Sequence, residues 1–439
     1  MKENTSPFRY GVGMLGTSLA INMFRSVATA FYVIKIGLPM EKLALIAFLY
    51  TFIDALDNPV YGYLSDNTRS KWGRRKPWLV ISTPLFVLFF ILFYSPPATL
   101  TANPDGTGLF LWALLMYTIT GTLDSMINAN YGALFPELFP AEEQRAKTNG
   151  IRQIFQLIAM VVGIALTPMI TSAIGYTYTA IAYGVISLII ILYMTVGIKE
   201  PPITEDTEKV AIGHALLSMI KSKNFWIVGL TNAFYSATMA LVIASVPFFI
   251  LYALQIPESQ GTYVLGTVIL IAILGVAVWS SLIKKLTAVK TLRIALIILT
   301  CSFIPLYFTN SLLTAILASV VVGIGLSGVI STMDVVCAKV MDEDYLKYGI
   351  KRQGIYSSTL GFMNRMSGLF VSLALLLAAR IYNFKSGDEP GERPGDAAKF
   401  MLTIFPFFLS VLSIAFSFLI KFSENNVSKL LEVNGTNES

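Results

Sequence analysis

LALIAFLYTFIDALDNPVYG, residues 43–62, decides the fold of this chain. Only Asp54 and Asp57 are charged in that run. A bilayer's hydrocarbon core of about 30 Å takes about 20 residues at a rise of 1.5 Å each, so a stretch this long and this apolar reads as a membrane-spanning helix. Outward from it the pattern recurs. Apolar runs lie near 11–35, 42–64, 78–96, 108–134, 150–172 and 177–198, and again near 224–253, 261–284, 291–309, 312–340, 354–383 and 399–422. Hydrophobic residues make up 55% of the 439 positions and charged residues 13%, about half the charge of a soluble domain. The mean hydropathy is +0.68. The formal charge of +6 comes from basic residues in short loops and not from one solvated face, which excludes a nucleic-acid-binding domain.

The positions of those loops set an expected topology. Arg69, Lys71, Arg74, Arg75 and Lys76 follow the second run, Arg145 and Lys147 the fourth, Lys199, Lys209, Lys221 and Lys223 the sixth. Lys284, Lys285, Lys290 and Arg293 follow the eighth, and Lys347, Lys351 and Arg352 the tenth. Positive loops stay in the cytoplasm, so both termini are expected there, in a multi-pass protein of the cell (inner) membrane. The organisation reads as a six-helix bundle over 1–198, a polar linker over 199–223, a second bundle over 224–423 and a tail over 424–439. Two six-helix halves joined on one side resemble the major facilitator architecture, whose solute sites lie near the bilayer midplane between the halves. No residue-level repeat between the halves is evident. The N-terminus lacks a short apolar region followed by a small-residue cleavage site, so no cleaved signal peptide is expected.

Charges inside the spans are costly and usually face a cavity. Arg25, Asp54, Asp57, Asp124, Arg152, Asp334 and Arg365 fall there. Asp54, Asp57 and Asn58 lie within one helical turn and can share a face. Their oxygens suit Na⁺, a raised carboxyl could instead carry a proton, and an ion pair with an arginine of a neighbouring helix is the structural alternative. For Arg152 and Arg365 the readings are a polar or anionic ligand or pairing with Asp54, Asp57 or Asp124. Tyr32, Tyr131, Trp279 and Tyr356 could stack on a sugar ring or serve as packing and interface residues. Cys301 and Cys337 read as packing residues, and His214, the one histidine, as a loop residue. A zinc hydrolase motif of the HExxH type is absent, as is a nucleophile elbow in a plausible context, so a membrane-embedded enzyme is the weak rival.

Two further clusters stand out. GYLSDNTRSKWGRRKPW (62–78) sets Asp66 beside Arg69, Arg74 and Arg75, and MDEDYLKYGIKRQGIYSS (341–358) sets Asp342 before Arg352. Acids at helix ends near arginines can latch one access state. Bland topogenic charge explains the basic residues equally well.

Together with DALDNP and the run Asn130-Tyr131-Gly132-Ala133-Leu134, these clusters resemble the glycoside–pentoside–hexuronide cation symporters, over nearly the whole chain. The resemblance implies sugar uptake coupled to Na⁺, Li⁺ or H⁺. It implies a cation site at Asp54, Asp57 and Asn58, with a hydroxyl from Ser125, in which amide and second carboxylate are exchanged relative to the melibiose carriers. Their sugar ligands correspond here to Ser18, Asn128 and Arg152, and a lysine to Arg365. Loss of two acids beside Arg25, Arg152 and Arg365 makes an anionic, uronide-type sugar the expected substrate, with Tyr131 beside it. Asp66, Arg69, Arg74, Arg75, Asp342 and Arg352 are the expected cytoplasmic gate. The chain is thus expected to be an all-α membrane symporter of the major facilitator fold, working by alternating access. It is expected to need no cofactor beyond Na⁺ or H⁺, no metal and no obligate protein partner. A lysolipid or other amphipathic solute is the alternative cargo.

Overall fold

In the computed structural model the described residues are 5–139, 142–200, 222–348 and 360–422. They are helical throughout, with short connections and no strand among them. The helices follow the apolar runs. They are α1 (Pro7–Ala30), α2 (Met40–Asp66), α3 (Lys76–Phe93), α4 (Thr107–Leu138), α5 (Glu142–Met160) and α6 (Tyr176–Gly197). After the linker come α7 (Lys223–Phe248), α8 (Gly261–Lys285), α9 (Ala288–Tyr307), α10 (Leu312–Tyr348), α11 (Gly368–Tyr382) and α12, begun by Pro394–Lys399 and completed by Phe405–Leu419. Among the described residues, eleven spans are long and apolar enough to cross a membrane. α2 adds 27 residues, about 40 Å at the helical rise.

Among the described residues, four π-helical turns occur: Phe31–Ile36 after α1, Val161–Ala165 after α5, Phe249–Ala253 after α7 and Phe400–Ile404 within α12. The first and seventh helices therefore end alike. This is a structural correspondence between the halves that the residues themselves do not display. Such turns carry i→i+5 bonds and favour functional bends over straight packing.

One apolar core runs through α1–α4 and α6, around Phe24, Tyr32, Phe90, Phe93 and Met194, and takes in the ends of α11 and α12. A second runs through α7–α10 and α12, around Phe225, Leu296, Phe303 and Val329. Trp279 belongs to it. It is 6% exposed and its indole N–H donates to the Ile324 carbonyl, so it is a packing residue and no sugar platform. Tyr32 is likewise fully buried, donating to the Phe93 carbonyl. Cys337 is buried, but Cys301 is exposed, correcting its reading as a packing residue, because α9 turns that face away from the bundle. His214 and Tyr356 lie outside the described residues.

The halves meet at the end that carries the loops after odd-numbered helices. There the Met40 N–H donates to the Lys385 carbonyl and the Gly387 N–H to the Val33 carbonyl, both at 2.7 Å. Tyr176 Oη donates to Glu258 Oε2 at 3.1 Å, the Met169 N–H to Thr262 Oγ1 at 3.2 Å, and Arg380 Nε to Glu41 Oε1 at 3.1 Å. At the even-loop end the networks described below stay within one half. Asn224, for example, bonds Glu343 and the Lys421 carbonyl, all in the second half. The bundle is closed at its odd-loop end.

Candidate functional site

At mid-depth the two halves are joined through Asp54. Tyr50, four residues earlier on α2, donates its hydroxyl to Asp54 Oδ1 at 3.1 Å. Ser125 of α4 donates to the same oxygen at 3.2 Å. Arg365 arrives from the second half and pairs its Nη1 with Asp54 Oδ1. The same nitrogen reaches Ser125 Oγ at 2.9 Å and the Asp54 carbonyl at 3.3 Å. The carboxylate and guanidinium are 19% and 22% exposed. Local sequence builds this contact. Gly121 leaves α4 without a Cβ that would fall 2.1 Å from Tyr50 Oη. On the other side, residues 360–365 are helical, 366–367 form a turn, and α11 restarts at Gly368, so the helix is interrupted directly after Arg365. Neighbouring Asn364 is pinned by Ser236 of α7 at 3.0 Å.

Of the residues expected to bind a cation, the structure brings Asp54 and Ser125 together and sets a guanidinium against their oxygens. It is the ion-pair alternative that this state displays. Asp57 shares none of those bonds. It is 7% exposed, and its Oδ2 is buried with no hydrogen-bond partner. The buried hydroxyl of Thr122 lies beside it. A buried carboxylate beside a hydroxyl offers oxygen ligands to a proton or a water. The Asn58 side chain lies outside the described residues.

Next to this lies a second polar group. Asn128 donates to its neighbour one turn back, Asp124, at Oδ1 (2.8 Å) and at the carbonyl (3.0 Å). The Asn128 amide, expected to meet the solute, is thus committed to Asp124, which is 7% exposed. Arg25 is exposed on α1, and its charge reaches both Asp124 and Arg365. Ser18 is buried on the same helix, and Asp334 is exposed on α10 near Tyr235 of α7.

Arg152 has neither a carboxylate nor an amide partner among the described residues. Its guanidinium carbon lies 4.6 Å from the Phe135 ring centroid, 5.2 Å from Tyr131 and 5.8 Å from Tyr10, and its Nε is buried without a hydrogen bond. Cation–π contact holds it in place without neutralising it. Tyr131 is the floor of that seat. It stacks on Tyr10 at 4.7 Å, donates to the Tyr10 carbonyl at 3.2 Å and accepts the Tyr10 hydroxyl at its own carbonyl at 2.5 Å. At 2% exposure Tyr131 cannot offer a face to a solute here, which corrects its expected role as a sugar contact. Pairing of Arg152 with Asp54, Asp57 or Asp124 is not seen either.

At the even-loop end the basic cluster is held by two acids outside the 62–78 segment. Glu137 at the end of α4 accepts from Arg74 at 2.6 Å and from Arg75 at 2.9 Å, and Arg75 also donates to Ser65 at 3.1 Å. Glu200, just past α6, accepts the backbone N–H groups of Arg74, Arg75 and Lys76 at 2.5–3.2 Å. Those N–H groups open α3, so Glu200 caps a helix N-terminus with a full charge. Gly73 permits it: φ is +108°, and a Cβ would stand 2.4 Å from the carboxylate. Arg69 is exposed. The side chains of Asp66 and Asp342, and all of Arg352, lie outside the described residues. Tyr50 was legible as the residue one turn before Asp54. Glu137, Glu200, Tyr10 and Phe135 carried no local signal.

The interface between the halves also holds an apolar cavity of about 50 Å³, lined by Met160, Ile164, Met239, Val246, Leu265 and Val322.

The sequence profile of the family described as MFS/sugar transport protein matches residues 9–423. The isoprimeverose transporter of Lactiplantibacillus pentosus is 22% identical over 369 residues, 81% of this chain and 75% of that protein. The inner membrane symporter YicJ of Escherichia coli is 23% identical over 322 residues, 70% of this chain and 64% of the relative. The sodium-dependent lysophosphatidylcholine symporter 1 of Mus musculus is 27% identical over 124 residues, 28% of this chain and 23% of its own. The crystal structure of a bacterial homologue of the human lysosomal transporter Spinster, inward-facing and unoccupied, superposes with a TM-score of 0.68 at 14% identity, covering 95% of this chain and 97% of that one. The fold is that of the major facilitator superfamily.

Proposed function

The chain belongs to the family of MFS/sugar transport proteins, and on that premise we propose that it is a cation-coupled symporter of a sugar or glycoside, preferring an anionic, uronide-type sugar. That it is a multi-pass membrane transporter and not an enzyme follows from the family itself. The observation that carries the finer reading is the Asp54–Arg365 pair, because it joins the two halves through the carboxylate best suited to the coupling ion. A cation and the guanidinium compete for Asp54. Cation binding frees Arg365, which then turns to the solute beside the unneutralised Arg152 and the exposed Arg25. By linkage, solute that holds Arg365 strengthens cation binding by the same factor. The buried carboxylate of Asp57, beside the Thr122 hydroxyl, supplies a second place for the ion or proton.

The positive even-numbered loops favour the cytoplasmic side for that end. In this orientation both termini are cytoplasmic, the bundles are 1–198 and 224–423 with the linker 199–223 and tail 424–439, and the state seen is closed outside. The Arg74–Arg75–Glu137–Glu200 cluster is the cytoplasmic gate of the first half, and Na⁺ or H⁺ is the coupling ion.

The lysolipid alternative needs an apolar side pocket. One exists between the halves, yet its 50 Å³ is about a third of the roughly 150 Å³ that a benzene-sized guest occupies. A long acyl chain does not fit in this state, which favours the sugar reading. Uptake into proteoliposomes under imposed Na⁺ or H⁺ gradients, with neutral glycosides, uronides and a lysolipid, tests all of it. Accumulation of a uronide driven by either gradient supports the proposal. Preference for neutral disaccharides removes the anionic part, and uptake of lysolipid alone removes the sugar class.

A further inference from the structure

Between α9 and α12, at the odd-loop end, the surface opens into a groove of about 280 Å³ lined by Phe303, Ile304, Tyr307, Thr403, Phe407 and Phe408. The π-helical turn Phe400–Ile404 forms part of its wall. Ile304 and Phe408 are 50% and 61% exposed there, on the face that a bilayer must cover. A purely apolar groove in that position would bind any hydrocarbon. This one has a charged mouth.

Lys399 stands beside its upper end, with Nζ 5.3 Å from the centroid of the ring of Tyr307, which lines the groove. Among the described residues no carboxylate pairs with it. Arg393 and Asp396 stand further out, towards the loop, and Glu392 further still. The span Pro394–Leu419 has 26 residues, about 39 Å against a hydrocarbon core of about 30 Å. Lys399, the sixth residue, therefore has its Cα a few ångströms inside the hydrocarbon boundary, from which its stem extends to the headgroups. Tyr307, the last residue of α9, marks the same level, where Tyr rings concentrate. Below them Ile304, Phe407 and Phe408 descend into the membrane.

We propose that this groove is a phospholipid site: one acyl chain lies along Ile304, Phe407 and Phe408, and the headgroup phosphate sits on Lys399 Nζ. The ammonium, already freed of carboxylates and held over Tyr307, gains the counter-ion it lacks. The bilayer supplies the occupant, and in the orientation proposed above it comes from the outer leaflet. The site lies on the lipid face of the second half, away from Asp54, and stands whatever solute the chain carries.

The test is native mass spectrometry of the full chain in a maltoside detergent. It is titrated with dioleoylphosphatidylglycerol and, separately, with dioleoylglycerol, which has the same chains and no phosphate. One phosphatidylglycerol should be retained more tightly than dioleoylglycerol. Lys399→Gln should weaken its binding about five-fold, the factor for one basic residue at anionic headgroups, and Lys399→Arg should preserve it. Ile304→Trp or Phe408→Trp, which fill the groove from its exposed side, should weaken both lipids. Equal retention by wild type and Lys399→Gln overturns the headgroup contact. A loss in Lys399→Gln with no effect of either groove-filling variant leaves a charge effect without a chain site and overturns the proposal.

Discussion

Replacing Arg365 by Ala should open the odd-loop end of the bundle. In the closed state the variant leaves the Asp54 carboxylate at mid-membrane depth, 19% exposed, with only the Tyr50 and Ser125 hydroxyls as donors. Removing one partner of a buried pair costs about 3–5 kcal/mol because the remaining charge is uncompensated. In the state open at that end the halves part and water can reach Asp54, so most of that cost is specific to the closed form. Taking about 3 kcal/mol, the closed-to-open ratio falls by a factor of about 150. The exposed Arg380–Glu41 pair, 69% and 51% accessible, is the control. Its loss is worth under about 1 kcal/mol, a few-fold at most. Spin labels at Ala102 and Glu392, both exposed at the odd-loop end in opposite halves, report the separation by double electron–electron resonance in nanodiscs. The Arg365→Ala distribution should move to longer distances, and Arg380→Gln should barely move it. Asp54→Asn with Arg365→Ala should restore part of the closed population, since no charge is then stranded. Identical distributions in wild type and Arg365→Ala would refute the view that this pair holds the halves together.

Three further outcomes follow from the same geometry. Asp54→Cys should abolish cation-driven accumulation while leaving exchange of solute down its own gradient measurable, and wild-type accumulation by this variant counts against Asp54 as the coupling carboxylate. Tyr131→Phe should transport with a near-normal KM, because its hydroxyl donates to the Tyr10 carbonyl at the buried side of the ring, whereas Tyr131→Ala removes the floor under Arg152 and should cost about 3–5 kcal/mol of stability in a thermal-shift assay; a large KM change in Tyr131→Phe would restore the ring to direct solute contact. Gly73→Ala should destabilise the even-loop end by about 1–2 kcal/mol, since both φ and the Glu200 carboxylate oppose a Cβ, and Glu200→Gln should lower the melting temperature less, by the fraction of a kcal/mol that a charge adds at a helix N-terminus. A Gly73→Ala protein as stable as wild type would mean that the capping contact contributes nothing.

The sequence alone was sufficient for the helices, because crossing a bilayer is a local requirement: each span must be apolar over about 20 residues, whatever it packs against. Most apolar runs and helices coincide to within a few residues for that reason, although α5 begins eight residues before its run and α10 ends eight residues after its own, and the cost of a buried charge singled out Asp54, Asp57, Arg152 and Arg365 before any contact was known. Partnership was another matter. Asp54 and Arg365 are 311 positions apart in the chain, and which arginine meets which carboxylate depends on how two bundles dock. Arg152 was open to a ligand or an ion pair, and it sits on three rings. The arginines of the 62–78 segment looked towards Asp66, yet among their described partners are Glu137 at the end of α4 and Glu200 just past α6. In a membrane the helices share no hydrophobic drive to associate, so their contacts are selected by close packing and by single polar pairs, and hydropathy along the chain carries no record of those.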